Sequence, residues 1–166
     1  MEVDMNSIKL IALTTLALFL IPAVALAAQP AWMDTKTKEL VDAARAETNQ
    51  VPIADLKRVI DEDEDVIIID VRTPDEYEVA HVPDAYNIPR GLLEFSIWSI
   101  APDLDETIYV YCRSGARAAL AAKQMQELGY TNVYSVSTGS VDWAQSGYPL
   151  QTSILDERVI ILPVQE

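Results

Sequence analysis

The sequence predicts an α/β domain with a mainly parallel central sheet flanked by helices. Short apolar runs alternate along the chain with helical patterns, and this alternation is typical of parallel βαβ units. Residues 66–69 are all β-branched, which indicates a strand covered on both faces. The chain has 166 residues, 50% of them hydrophobic, which is enough for one domain with a sizeable core.

Charge and composition exclude several kinds of partner. The formal net charge is −14, which argues against binding to nucleic acid or to an anionic membrane surface. The chain has one cysteine, Cys112, and one histidine, His81, so it offers neither an intramolecular disulfide nor a His/Cys metal cluster. The acidic run at 61–65 lacks the glycine and the spaced ligands of a calcium loop and predicts a solvated loop. We therefore expect no bound metal.

The first 27 residues have the pattern of a secretory signal peptide. Residues 10–33 carry no charge and begin with a strongly apolar run, and Ala25-Leu26-Ala27 gives the small-x-small pattern of a cleavage site. We expect cleavage before Ala28 and a periplasmic or otherwise secreted protein without stable membrane association. The alternative is an uncleaved N-terminal membrane anchor, since the uncharged stretch is long enough to span a bilayer. Acidic residues ahead of Met5 are unusual in a signal peptide, so either Met1 or Met5 is the initiator, and the pattern favours Met5.

Residues 28–52 predict an N-terminal helical extension. Three apolar residues at helical spacing in a polar stretch indicate a helix over residues 34–48. The main domain is expected at 53–150 and begins with a second short helix at 53–60.

The strand at 66–69 leads into a predicted helix cap. Asp70-Val71-Arg72 follows this strand, and Thr73 comes next. Thr73 can cap a helix, and Glu76, three residues later, can close a capping box. This helix is expected to end near Val79.

The only cysteine lies between a strand and a helix. Residues 108–111 form an apolar, β-prone run, and the alanine-rich run at 116–128 predicts a helix. Cys112 therefore lies at a strand-to-helix turn, where backbone N–H groups and the helix N-terminus carry partial positive charge. Arg113 and Arg117 add two full charges. Each of these charges favours the thiolate, which is the nucleophilic form of cysteine.

Shorter patterns predict the remaining elements. We expect strands at 86–88 and 133–136 and helices at 92–100 and 141–145. The tail at 151–166 contains a second β-branched run, and it is either an added edge strand or a partner-binding segment.

The loop after the central strand resembles that of a known family. Residues 112–117 read Cys-Arg-Ser-Gly-Ala-Arg, which resembles the active loop of the single-domain rhodaneses, the thiosulfate sulfurtransferases. Further motifs of that family occur in order: Asp-Val-Arg at 70–72, Glu76-Tyr77, His-Val-Pro at 81–83, Asn-Ile-Pro at 87–89 and Gly-x-x-x-Trp at 139–143. Ala80, Asp84 and Ser140 stand where the family usually has glycine. The resemblance covers about residues 53–150 and implies a rhodanese-like domain.

The resemblance implies a role for each residue of the loop and for its supports. Cys112 is expected to be the catalytic nucleophile. The substrate- and persulfide-binding loop is expected to consist of Arg113, Ser114, Gly115, Ala116 and Arg117. A supporting ion and hydrogen-bond network is expected of Asp70, Arg72 and Glu76, and His81 is expected to be structural.

Sulfur transfer is the activity that the resemblance implies. The Cys112 thiolate takes a sulfane sulfur from thiosulfate, a small anionic donor, or from a persulfide, and passes it to a thiol or to cyanide. This chemistry needs no cofactor. One alternative is a non-catalytic sulfur carrier, sensor or partner-binding module on the same fold. Another is a phosphatase or arsenate reductase, although those enzymes usually have a loop one residue longer than Cys-x4-Arg.

Overall fold

The computed structural model describes residues 30–154 and 159–161. The chain separates into two units, Met1–Met33 and Asp34–Glu166, and all elements below belong to the second unit apart from the first turn of one helix. The expected signal peptide lies outside the described residues. Within the described part of the chain, no helix is both long enough and apolar enough to cross a membrane.

A five-stranded parallel sheet forms the centre of the second unit. Its strands are β1 (Asn49–Val51), β2 (Ile67–Asp70), β3 (Tyr86–Asn87), β4 (Thr107–Cys112) and β5 (Asn132–Gly139). Their order across the sheet is β1-β5-β4-β2-β3, and every neighbouring pair is parallel. This arrangement confirms the predicted fold class. Because the strands run the same way, the ends of β2, β4 and β5 bring Asp70, Cys112 and Gly139 to one edge of the sheet.

Helices pack on both faces of this sheet. The α-helices of the described residues are α1 (Ala31–Glu47), α2 (Ile53–Asp61), α3 (Pro74–Val79), α4 (Leu93–Ser96), α5 (Ala116–Glu127) and α6 (Ser140–Gln145). Side chains alternate between the faces along a strand, so Val110 and Cys112 of β4 pack with the alanines of α5. Tyr109 and Tyr111 point the other way and pack with residues of α2 and α6. Cys112 therefore lies in the buried layer that α5 covers.

The helix predicted after Asp70-Val71-Arg72 forms with the expected cap. Thr73 Oγ1 accepts a hydrogen bond from the Glu76 amide at 3.4 Å, and the Glu76 carboxylate accepts one from the Thr73 amide at 3.1 Å. These two bonds form the predicted capping box at the start of α3. The box fixes the Glu76 carboxylate at the first turn of the helix.

The single helix predicted at 92–100 is wrong. The segment consists of a 3₁₀ turn at Arg90–Leu92, the four-residue α4, and a second 3₁₀ turn at Ile97–Ser99. Two side chains bond to carbonyls three residues earlier: Trp98 Nε1 donates to Phe95 O at 2.9 Å and Ser99 Oγ donates to Ser96 O at 2.7 Å. Such local bonds compete with the regular helical ladder and shorten the helix.

Two terminal segments differ from the sequence interpretation. Asn49–Val51 was expected in the helical extension, but it forms β1 and pairs with β5, because Pro52 disfavours a helical conformation of the residue before it. In the tail, β6 (Leu150–Thr152) pairs antiparallel with β7 (Val159–Ile161). In the described residues these two strands form a separate sheet, so the added edge strand is wrong, while a partner-binding tail stays a prediction.

Candidate functional site

Cys112 ends the central strand and is buried. It is the last residue of β4, with 1% of its surface exposed. In the neighbouring strand its register partner is Gly139, the last residue of β5, and the register of the two strands shifts between Val110 and Cys112. A shift of this kind turns the chain at the end of a strand. It places the loop after Cys112 against the end of β5.

Two glycines allow this loop to pack backbone against backbone on β5. Gly115 has a φ of +84°, and a Cβ atom there would lie 2.1 Å from the carbonyl oxygen of Ser137. A Cβ atom on Gly139 would lie 2.2 Å from the carbonyl oxygen of Cys112. No side chain fits at either position without moving the backbone. The positions of these glycines therefore fix the shape of the loop.

The amides of the loop point to no acceptor in the described part of the chain. Residues 113–116 donate no backbone hydrogen bond to any carbonyl or side chain within residues 30–154 and 159–161. The first bond after the loop is the one from the Ala119 amide to the Gly115 carbonyl at 3.0 Å. Free amides at the start of a helix form a site for negative charge. The loop that follows Cys112 is therefore suited to hold an anion.

Arg117 connects the loop to the capping box of α3. Its Nη1 and Nη2 donate to the two carboxylate oxygens of Glu76 at 2.8 Å and 2.9 Å. This bidentate bond is the main reason that the pKa of Glu76 falls to about 2. The same bond raises the pKa of Arg117, and the proximity of the Cys112 side chain raises that pKa further. Arg117 is therefore fixed by Glu76 at a position close to Cys112.

Asp70 and Arg72 form a second, more buried ion pair. Arg72 Nε and Nη2 donate to the Asp70 carboxylate at 2.9 Å and 2.6 Å, and Nη2 also donates to Ala80 O at 2.7 Å. The guanidinium carbon lies 5.8 Å from the centre of the Tyr111 ring. Burial raises the pKa of the Tyr111 hydroxyl well above its ordinary value. This cluster connects the end of β2 to Ala80, just after α3. It therefore fixes the position of α3, the helix that carries Glu76.

Sequence reasoning missed the role of Asn87. Its Nδ2 donates to the carbonyls of Asp70 and Arg72 at 2.9 Å and 3.1 Å. The two bonds hold the turn after β2 from the neighbouring strand β3. The Asn-Ile-Pro motif at 87–89 marked Asn87 as part of the family pattern, but it did not indicate that the side chain bonds to the carbonyls of Asp70 and Arg72.

An open cleft adjoins the loop. It has a volume of about 480 Å³ and is lined by Arg72, Asp75, Glu76, Val79, Arg113, Ser140 and Val141. Arg113 and Ser114 are exposed. Among the described residues, the Arg113 side chain has no ion-pair or hydrogen-bond partner. Within that part of the chain, the cleft therefore presents an unpaired cation beside the Cys112 loop.

His81 lies apart from this cleft. It is buried, its ring stacks on Tyr77 with 3.7 Å between centroids, and its Nδ1 lies 2.8 Å from Tyr77 O. Its backbone amide and carbonyl both bond to Gln151. The described residues contain no group of three or more His, Cys, Asp or Glu side chains that could hold a metal ion. The groups available beside the cleft in the described residues are therefore the Cys112 sulfur, loop amides without an acceptor, and arginines.

The structure brings the expected site residues together in two clusters. Cys112 and the loop at 113–117 meet Glu76 through Arg117. Asp70 and Arg72 pair with each other at the end of β2. The arrangement suits a cysteine nucleophile whose product is a small anion held by loop amides.

The chain is similar to several known proteins. Residues 53–146 match the family described as rhodanese-like domain. A sulfurtransferase of Allochromatium vinosum is 33% identical over 102 residues, which cover 61% of this chain and 94% of that protein. The thiosulfate sulfurtransferase PspE of Escherichia coli is 40% identical over 65 residues, 39% of this chain and 62% of that protein. The polysulfide-sulfur transferase homodimer of Wolinella succinogenes has a TM-score of 0.62 and 31% identity, covering 72% of this chain and 89% of that chain. The family match contains every residue of the two clusters.

Proposed function

This chain belongs to the rhodanese-like family, and on that premise we propose that it transfers sulfane sulfur through a persulfide on Cys112. Its sulfurtransferase relatives support sulfur transfer in general. The proposal rests on one observation above all. The buried Cys112 is followed by amides at 113–116 that have no acceptor in the described residues. Arg117, held by Glu76, is close enough to Cys112 for that side chain to raise the pKa of Arg117.

Thiosulfate is the proposed donor, because a relative carries that substrate in its name. The Cys112 thiolate attacks the outer sulfur of thiosulfate, and a bond forms between Sγ and that sulfur. The bond between the two sulfurs of thiosulfate breaks, and its electron pair leaves with sulfite. Cys112 is then a persulfide. No proton moves in this step, so the reaction needs no general base, and the position of His81 away from the cleft agrees with that.

The second half of the reaction returns the enzyme to its starting state. A thiol or cyanide attacks the terminal sulfur of the persulfide, and the Cys112 thiolate leaves. Between the two halves, the terminal sulfur carries a negative charge. The free amides at 113–116 are placed to stabilise that charge, because they are fixed before the reaction begins.

The two arginines of the loop take different roles in this proposal. Arg117 is held by Glu76 close to Cys112, and in this proposal it stabilises the charge on the nucleophile. Arg113 is exposed at the cleft and its side chain has no partner among the described residues, so it attracts the anionic donor. In this proposal the fixed Arg117 activates the nucleophile, and the unpaired Arg113 side chain binds the donor.

The length of the loop favours sulfur over phosphate. Four residues separate Cys112 from Arg117, whereas cysteine-dependent phosphate chemistry usually has five between the equivalent residues. A tighter ring of amides suits a single added sulfur atom better than a tetrahedral phosphate. We therefore rank sulfur transfer above phosphatase or arsenate reductase activity.

We further propose that the mature protein is exported. Residues 1–27 have the signal-peptide pattern, and the structure describes none of them. Expression of the full chain in a bacterial host, followed by fractionation and N-terminal sequencing, tests this. A start at Ala28 in the periplasmic fraction is expected. A retained apolar segment in the membrane fraction means an anchor instead.

Steady-state turnover tests the proposed activity. The purified protein is given thiosulfate and cyanide, and thiocyanate is measured. We expect saturable turnover for the wild type and none for a folded Cys112→Ser variant. A protein that accepts one sulfur but does not turn over is a carrier. Hydrolysis of an aryl phosphate without thiocyanate formation assigns the site to phosphate chemistry.

A further inference from the structure

Ser140 is a largely buried residue beside the Cys112 loop whose hydroxyl group has no partner among the described residues. The residue is 9% exposed and lines the 480 Å³ cleft. Its hydroxyl makes no hydrogen bond within residues 30–154 and 159–161, and the fully enclosed unpaired polar atoms of that part of the chain do not include it. The hydroxyl is therefore accessible from the cleft and is available to donate a hydrogen bond to a ligand. Serine at this position also departs from the glycine that the family resemblance led us to expect.

The residues on either side of Ser140 contact the loop directly. The backbone of Gly139 approaches Cys112 so closely that a Cβ atom would lie 2.2 Å from the Cys112 carbonyl oxygen. On the other side, the Val141 amide donates to the Arg113 carbonyl at 3.5 Å. Because both neighbours are in contact with the loop, the position of Ser140 relative to Cys112 is fixed by the backbone.

The cleft has few donors that are free to bind a ligand. Arg72 Nε and Nη2 donate to Asp70, and Nη2 also donates to the Ala80 carbonyl. The Glu76 carboxylate is neutralised by Arg117, outside the lining. Among the described lining residues, the donor side chains that make no hydrogen bond at all are those of Arg113 and Ser140. Asp75 is a carboxylate of the same lining and repels an anion.

We propose that Ser140 is a substrate-binding residue for the oxyanion end of the sulfur donor. Its hydroxyl donates a hydrogen bond to a sulfonate oxygen while Arg113 neutralises the charge, and the outer sulfur is then directed to Cys112. This inference rests on the proposed function, because it names the group that recognises the donor. Cyanide has no oxygen to accept this bond, so Ser140 acts on the donor half of the reaction alone.

Kinetics of single variants test this role. Ser140→Ala removes the hydroxyl, and we expect the KM for thiosulfate to rise about 3- to 15-fold, as for loss of one hydrogen bond to a charged group. The kcat and the KM for cyanide are expected to stay within twofold, since the hydroxyl takes no part in the bond changes. Ser140→Thr keeps the hydroxyl and should recover most of the affinity. Ser146→Ala, an exposed serine just beyond the other end of α6, is the matched control and should behave as wild type.

A second measurement separates this inference from the proposed function. Sulfate shares the oxyanion end of thiosulfate but has no transferable sulfur, and bound sulfate should slow the alkylation of Cys112 by iodoacetamide. We expect Ser140→Ala to raise the sulfate concentration for half-protection by the same factor as the KM. If the protein shows this shift but has no sulfurtransferase turnover, the oxyanion site at Ser140 stands and only the proposed sulfur transfer is refuted. Equal half-protection in wild type and Ser140→Ala overturns the inference, and so does a fall in kcat with an unchanged KM.

Discussion

Neutralising Glu76 tests the ion pair that connects α3 to the active loop. The change is Glu76→Gln, which keeps the size of the side chain and its ability to accept the capping-box hydrogen bond from Thr73. It removes the charge that pairs with Arg117. Because the glutamine can still cap the helix, a fall in the free energy of unfolding reflects the loss of the ion pair with Arg117.

The size of the effect follows from the pKa of Glu76. The pKa falls from 4.5 to about 2 in the folded protein, and at 1.36 kcal/mol per pH unit this corresponds to at most about 3.4 kcal/mol. The side chains of Glu76 and Arg117 remain 32% and 35% exposed, so solvent screens their interaction. After that discount we expect Glu76→Gln to lower the free energy of unfolding by about 1–2 kcal/mol at pH 7.

The pH dependence has a definite direction. A carboxylate whose pKa is lowered by folding stabilises the protein fully above its unfolded pKa of 4.5. That stabilisation is lost as the pH falls from 4.5 towards 2, because the folded carboxylate then takes up its proton. The difference between Glu76→Gln and wild type should therefore fall to roughly half or less at pH 3.

Urea unfolding at pH 7 and pH 3 measures this difference. Glu78→Gln is the matched control, because Glu78 is exposed on the same helix and its side chain makes no bond with the described residues. This variant should match wild type within about 0.5 kcal/mol at both pH values. If Glu76→Gln loses the same stability at pH 7 and pH 3, the ion pair is not the source of the effect and the reasoning fails.

Three further predictions concern the loop and its support. Gly115→Ala should destabilise the fold by roughly 2 kcal/mol or more, because its Cβ meets the backbone of β5. Thermal unfolding tests this against Gly91→Ala, where a Cβ would meet nothing within 4 Å, and equal melting temperatures of the two variants refute it. Arg113→Ala should raise the KM for thiosulfate about tenfold with little change in kcat, whereas Arg117→Ala should lower kcat; steady-state kinetics decide, and identical effects of the two variants contradict the division of roles. Asp70→Asn should cost roughly 3–5 kcal/mol in urea unfolding, since it leaves a buried guanidinium without its counter-charge; a loss below about 1 kcal/mol speaks against a buried ion pair.

Local patterns were enough to predict most of the framework. The β-branched run at 66–69 and the apolar run at 108–111 correspond to β2 and β4, and the alanine-rich run corresponds to α5. The capping box at Thr73 depends on residues three positions apart, so it is visible in the sequence. Cys112 could be placed at a turn because both flanking elements have strong propensities of their own.

The contacts between distant segments could not be predicted in the same way. Glu76 and Arg117 are 41 residues apart, and only the parallel order of β2 and β4 brings them together. The segment at 92–100 departs from a single helix because side chains bond to local carbonyls. These bonds compete with the helical hydrogen bonds, and the spacing of apolar residues in the sequence does not reveal them. Ser140 appeared in the sequence only as a departure from a family pattern, and its role follows from the cleft that it lines.

The intact mass of the protein after one half-reaction tests the central claim most directly. Wild-type protein is incubated with thiosulfate, separated from it without reductant, and weighed by mass spectrometry, with Cys112→Ser treated in parallel. We expect the wild-type protein to gain one sulfur atom and Cys112→Ser to gain none. Addition of cyanide should remove the added sulfur and release one equivalent of thiocyanate. An unchanged wild-type mass together with thiocyanate turnover, or an equal gain in Cys112→Ser, contradicts a persulfide on Cys112.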